Sequence, residues 1–152
     1  MAERLRFRSY LAIALVVAIL ALGSHLLTAE AALLCNPSFP FAGRYVQSCK
    51  DNYNFDTSYW KGRMVTKVLS GGAIAKLGWN YWSDTRWCNG VAVFQWTWGS
   101  SYGLNATNWA STSPSHPKGT CAGANEAQVY GIHYWEQSGS STTEPWSYWR
   151  TL

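Results

Sequence analysis

The sequence predicts an all-β fold, a small antiparallel β-sandwich or barrel-like domain with two disulfides behind an N-terminal signal-peptide helix. Three observations carry this expectation. The chain has 10 Trp, 9 Tyr and 13 Gly, its aromatic residues concentrate after position 39, and no long run of good helix formers accompanies them. Two alternating runs meet at Asn89-Gly90, a strong short hairpin signal. All four cysteines, Cys35, Cys49, Cys88 and Cys121, follow an apolar leader.

The leader has a basic start (Arg4, Arg6, Arg8), an apolar run from Leu11 to Leu22, and the triplet Ala29-Glu30-Ala31, which is an A-x-A cleavage pattern. The expectation is a signal peptide over 1–31 and a single secreted β domain over 32–152. Retention as a membrane anchor is the competing reading, but His25 interrupts the apolar stretch and a spanning helix needs about 20 apolar residues. A lipid anchor on Cys35 is disfavoured by Leu34 before it.

Four cysteines in an exported segment read as two disulfides. Three connectivities are open, and sequential closure, Cys35 with Cys49 and Cys88 with Cys121, is the simplest. No C-x-x-C or H-x-x-x-H spacing supports zinc, so no metal or cofactor is expected.

Between Gly62 and Lys76, Val65, Val68 and Leu69 suit either a helical turn or a strand, and Gly71-Gly72 ends it. From Leu77 to Gly99 the hairpin reading assigns a register. A two-residue type I′ turn opposes Cys88 to Val91, Trp87 to Ala92, Thr85 to Phe94, Ser83 to Trp96 and Tyr81 to Trp98. Directly opposed residues share a face. One face then carries Trp79, Tyr81, Trp87, Phe94, Trp96 and Trp98. The other carries Asn80, Asp84, Arg86, Gln95 and Thr97 together with Trp82, Val91 and Val93. Gly99 to Gly123, rich in Ser, Thr, Asn, Gly and Pro, reads as a long loop with a short strand at Leu104 to Ala110. Gln128 to Gln137 reads as a strand, and a polar break at Ser138 to Thr143 precedes a last aromatic run, Trp146 to Leu152.

The stretch Leu77-Gly78-Trp79-Asn80-Tyr81-Trp82-Ser83-Asp84-Thr85-Arg86-Trp87-Cys88-Asn89-Gly90, with Gly131-Ile132-His133-Tyr134 and Pro145-Trp146 further on, resembles the centre of a group of small secreted bacterial, actinobacterial-type proteins of no assigned function. The resemblance covers about half of residues 32–152, and its specific part is the Trp87-Cys88 hairpin. It departs at the C-terminus, where the group has a further strand segment. It implies a secreted β domain and carries over no catalytic residue.

Enzymatic chemistry finds little support in the residues. The G-x-S-x-G elbow, the H-E-x-x-H zinc motif and a Cys-His dyad signature are absent from the sequence. Asp51, Asp56, Asp84, Glu126 and Glu136 have no spacing that singles out a glycosidase pair. His133, within an aromatic strand, is expected to be structural, and His116, between Ser115 and Pro117, to lie in a loop. No catalytic residue is assigned.

The chain has 12 Lys/Arg and 8 Asp/Glu, for +4 at pH 7. Without the leader's Arg4, Arg6, Arg8, Glu3 and Glu30, nine basic and six acidic side chains are left, the basic ones scattered singly. Neither a nucleic-acid footprint nor a polybasic membrane patch is visible. The aromatic excess therefore has the most functional content, because Trp and Tyr faces stack on sugar rings and supply large contact area. The residues expected to bind are Trp82, with Asn80, Asp84 and Arg86 beside it on the polar hairpin face. The function expected is non-catalytic, extracellular binding of a polysaccharide or cell-wall component. A toxin or bacteriocin-like protein and a small secreted hydrolase are the alternatives.

Overall fold

The computed structural model describes residues 33–54 and 57–152, with the backbone alone at 52–54. The expected signal peptide over 1–31 lies outside the described residues. In chain order the strands are β1 (Leu34–Cys35), β2 (Phe39–Phe41), β3 (Arg44–Asn54), β4 (Tyr59–Ser70), β5 (Ile74–Cys88), β6 (Val91–Trp98), β7 (Ser101–Ala106), β8 (Asn108–Thr112), β9 (His116–Pro117), β10 (Asn125–Gln137) and β11 (Ser140–Thr151). The fold is all-β in two antiparallel sheets, as the aromatic and glycine content predicts. In the first sheet β3 and β4 pair centrally, β1 and β2 flank β3, and β8 and β9 flank β4. The second has the order β11-β10-β5-β6, and β7 also pairs with β5.

Both sheets contribute to one interior. Trp60 and Met64 of β4 pack with Trp79 and Trp82 of β5 and with Ala127 and Val129 of β10. Val46, Ile74, Leu77 and Trp135 form a second cluster. Strand β10 shows the underlying pattern plainly. Ala127, Val129, Gly131, His133 and Trp135 are buried, and every intervening residue is half-buried on the other face.

The Asn89-Gly90 turn forms as expected, with positive φ at both residues (51° and 77°). Cys88 opposes Val91 and Trp87 opposes Ala92. Beyond these pairs the expected register is corrected. A bulge leaves Val93 unopposed, so that Phe94 meets Arg86, Trp96 meets Asp84 and Trp98 meets Trp82. A second irregularity lies between β5 and β10, where Tyr81 meets Ile132, Trp79 meets His133 and Asn80 is the extra residue. Because side chains alternate with a period of two, one extra residue reverses the facing of everything beyond it. The inner face of β5 therefore runs Leu77, Trp79, then Trp82, Asp84 and Arg86. Tyr81 and Trp87 point outward, and the two hairpin faces read from strict alternation are not the ones that form.

The segment expected as a long loop with one short strand at Leu104 to Ala110 is also corrected, because Gly99 to Gly123 supplies three strands, β7, β8 and β9, the first two meeting within the expected one. The chain passes from the second sheet to the first at Thr107, whose carbonyl accepts a hydrogen bond from Val68 N at 2.7 Å. The ambiguous stretch after Gly62 belongs to β4, and Gly71 and Gly72 end it with φ of 89° and 79°.

The disulfides are Cys35–Cys49 and Cys88–Cys121, and no cysteine is free. The first joins directly opposed residues of β1 and β3. The second ties the end of the β5–β6 hairpin to the segment after β9. Two disulfides point to an oxidising compartment of the extracellular type. Among the described residues no helix is long and apolar enough to cross a membrane.

Candidate functional site

The outer face of the second sheet is the candidate. Its residues follow from register: Lys76, Gly78, Tyr81, Ser83, Thr85 and Trp87 from β5 lie opposite Glu136, Tyr134, Ile132, Tyr130, Gln128 and Glu126 from β10. Beyond β10, Gln128 is flanked by Trp149, Tyr130 by Ser147 and Tyr134 by Thr143. On the other side Tyr102 of β7 flanks Gly78.

Three aromatic pairs follow one another along this face. Tyr102 and Tyr134 approach to 5.3 Å between ring centroids. Gly78 lies between their strands, and with no side chain it lets the two rings meet above it. Tyr81 and Tyr130 are 5.9 Å apart. Trp87 and Trp149, at 5.2 Å, close the row. Tyr134 and Glu126, which mark its ends on β10, are eight residues apart, or about 27 Å at roughly 3.3–3.4 Å per residue. The rings are half-buried, and Trp149 is 43% exposed.

Hydrogen-bonding groups lie between the rings. Trp87 Nε1 donates to Gln128 Oε1 at 3.2 Å. Tyr102 OH donates to Asn80 Oδ1, and Tyr134 OH donates to Glu136 Oε2. The bond to Glu136, helped by burial, holds the Tyr134 phenol above its usual range. Lys76 Nζ sits 4.1 Å from the Tyr102 ring centre and 3.8 Å from Glu136. The face thus combines flat apolar stations with fixed donors and acceptors.

Of the expected binding residues, Asn80 alone lies by this face. Trp82, at 2% exposure, is inside, as are Asp84 and Arg86. The solvent-facing patch read from strict alternation around Trp82 is therefore not formed. Asp84 accepts from Trp82 Nε1 at 2.6 Å, from His116 Nε2 at 2.9 Å and from Gly62 N at 3.2 Å. His116, expected in a loop, is buried on β9 and stacks on Trp96 at 4.0 Å, with Trp60 at 5.0 Å and Trp98 at 5.9 Å. A carboxylate and an imidazole enclosed in this way hold β9 and β4 to β5. Arg86 is likewise engaged, by Asn125 Oδ1 at 3.1 Å and Thr120 O at 2.7 Å. Asn125 and Thr120 close that end of the core over it.

A second buried polar group surrounds Lys50. Its Nζ donates to Gly131 O at 3.1 Å and to Trp146 O, and lies 5.0 Å from the Trp146 ring. Burial lowers the Lys50 ammonium to about 7, against the opposing pull of Glu144. Burial also raises Asp51 to about 6, against Arg150 and Arg63. His133 is buried, as its aromatic strand implied. Thr66 Oγ1 donates its one proton to Gly78 O at 2.7 Å, so the 2.7 Å contact between Thr66 Oγ1 and His133 Nδ1 requires Nδ1 to carry the hydrogen. Nε2 is then a bare acceptor without a partner. This neutral tautomer agrees with a His133 pKa held well below the ordinary value by burial and then by Lys50.

Among the described residues no group of three His, Cys, Asp or Glu is placed to hold a metal ion. The sequence reading missed the aromatic row because its members come from β5, β7, β10 and β11. The alternation of Tyr130, Ile132 and Tyr134 against His133 and Trp135 was the available signal. Comparison of the chain with family models, with curated proteins and with solved structures gave no match, so its geometry alone carries the functional argument.

Proposed function

We propose that this is a secreted, non-catalytic module that binds an extended glycan of a cell envelope along the outer face of the second sheet. The observation that carries the reading is the row of three ring pairs, Tyr102–Tyr134, Tyr81–Tyr130 and Trp87–Trp149, on one sheet face. Sugar rings present apolar C–H faces and polar edges. Flat aromatic stations interleaved with Gln128, Asn80 and Glu136 match both. Export follows from the leader and accords with the two disulfides. The hydrolase alternative is less well supported, since Asp84 and His116 are enclosed and fully engaged in packing.

The test is retention on insoluble polysaccharides and purified cell wall, comparing wild type with Trp149→Ala and Tyr134→Ala at opposite ends of the row. The wild type is retained and each variant weakened by about tenfold or more, as for truncation of an aromatic hot spot. Failure of the wild type to bind any of these materials would overturn the reading.

A further inference from the structure

We infer that the polymer bound on this face is uncharged: a linear, ribbon-like neutral polysaccharide lying parallel to β5 and β10. This inference rests on the glycan-binding reading and narrows it. The observation behind it is the partition of charge between the two outer sheet faces. On the aromatic face the strands β5 and β10 place one cation, Lys76, and its ammonium is paired with Glu136 and seated on the Tyr102 and Tyr134 rings. Glu126, opposite Trp87 at the far end, adds a second carboxylate. A polyanion laid along the row would meet two carboxylates and one committed ammonium.

The basic side chains of β4 lie elsewhere. Lys61, Arg63 and Lys67 alternate with the buried Trp60, Gly62, Met64 and Thr66, and so face outward from the first sheet. The aromatic row therefore offers stacking area and hydrogen bonds without the cations that phosphate or carboxylate recognition uses. Its dimensions favour a chain over an isolated sugar. Ring pairs at three stations along about 27 Å of strand suit a flat ligand that repeats along one direction. Pairing two rings at each station widens the platform across the strands, which favours a ribbon over a narrow or helical polymer.

The experiment is affinity electrophoresis and calorimetry of the purified protein with soluble hydroxyethylcellulose as the neutral probe and with polygalacturonate and polyphosphate as anionic probes. Each is run at low and high sodium chloride. The expected result is binding to hydroxyethylcellulose that salt leaves unchanged to within about twofold, because no counterions are released. Trp149→Ala and Tyr134→Ala each weaken it by about tenfold or more, with near-ultraviolet circular dichroism confirming that both variants are folded. Tyr130→Ala serves where either fails to fold. Binding to polygalacturonate alone, weakening with salt, would overturn the neutral assignment and leave glycan binding standing. Binding to polyphosphate alone, or to no probe and no insoluble glycan, would overturn both. Neutral binding unaffected by the ring substitutions would overturn the placement on this face.

Discussion

Replacing Lys50 by Met tests the energetics of the buried polar group directly. In the folded chain the Lys50 pKa is about 7 instead of 10.5. The sign follows from which state holds the proton. Below about pH 7 the amine is charged in both states, and the full penalty of burying that charge is present. Between about 7 and 10.5 the unfolded chain is protonated and the folded chain is not, so stability rises with pH. At about 1.4 kcal/mol per pH unit, the gain completed by pH 10.5 is about 5 kcal/mol. Met fills similar space without titrating. It loses the bonds to Gly131 O and Trp146 O, but below pH 7 it is also spared the buried charge. We expect the variant to match or exceed wild-type stability at pH 6, to fall about 2 kcal/mol behind near pH 8.5, and about 4 kcal/mol behind near pH 10. Urea unfolding at these three values measures the difference, and Asp51 and Tyr134 titrate in both proteins and largely cancel. A difference flat across pH 7–10 would refute the reasoning, because Lys50 would then hold its proton, kept by Glu144 and the two carbonyls.

Three further outcomes follow from the packing. A methyl group at Gly62 would overlap the Asp84 carboxylate, which three donors hold in place. Gly62→Ala should therefore destabilise by about 3 kcal/mol, or lower Tm by about 10 °C, and an unchanged melting curve would show that Asp84 can move away freely. Cys88–Cys121 closes 33 residues and Cys35–Cys49 closes 14. By loop entropy, replacing the former pair with Ala should cost about 4 kcal/mol and the latter about 3, an order that denaturant unfolding of the two variants checks. Deleting Asn80 should preserve the fold at about 1–2 kcal/mol, since it is the unopposed residue between Tyr81–Ile132 and Trp79–His133. Deleting Ser83 should instead abolish cooperative unfolding by reversing Trp82 against Asp84, and equal tolerance of the two deletions would contradict the bulge assignment.

The part of the fold legible in the sequence is the part that local chemistry decides. Asn89-Gly90 forms its turn because both residues accept positive φ, and Gly71-Gly72 ends β4 for the same reason. The disulfide pairing coincides with the simplest closure. The first two pairs beyond the turn, Cys88–Val91 and Trp87–Ala92, also follow from turn geometry alone. The third fails at Val93, because a bulge there is stabilised by what the inner face of β6 packs against, and those partners are distant in sequence. Asp84 is the clearest case. By alternation it stands with Arg86 on the polar hairpin face, yet it is buried by Gly62, 22 residues earlier, and His116, 32 residues later. Nothing within the hairpin announces either. The short strand read at Leu104 to Ala110 overlaps β7 and β8, but their full extent, the break at Thr107 and strand β9 were hidden by composition, since Ser, Thr and Asn suit the partly exposed strands at the margins of a sheet as well as they suit loops.

The two bulges also account for the location of the candidate site. With strict alternation through Asn80, Trp79 and Tyr81 would share one face, and Trp82 would stand with Asn80 and Asp84 on the other. The extra residue allows Trp79 and Trp82 both to face inward, where their rings meet edge to face at 5.4 Å. It simultaneously turns Tyr81 outward to meet Tyr130. The Val93 bulge does the corresponding work on β6, bringing Trp96 and Trp98 inward over His116. Aromatic residues adjacent in sequence are thereby sorted to opposite sides of the same sheet. Those inside enclose a carboxylate and an imidazole that tie the sheets together, and those outside form the row. A chain this rich in Trp and Tyr reads ambiguously as core or surface because it supplies both, and it is the backbone irregularities that assign each ring to its side.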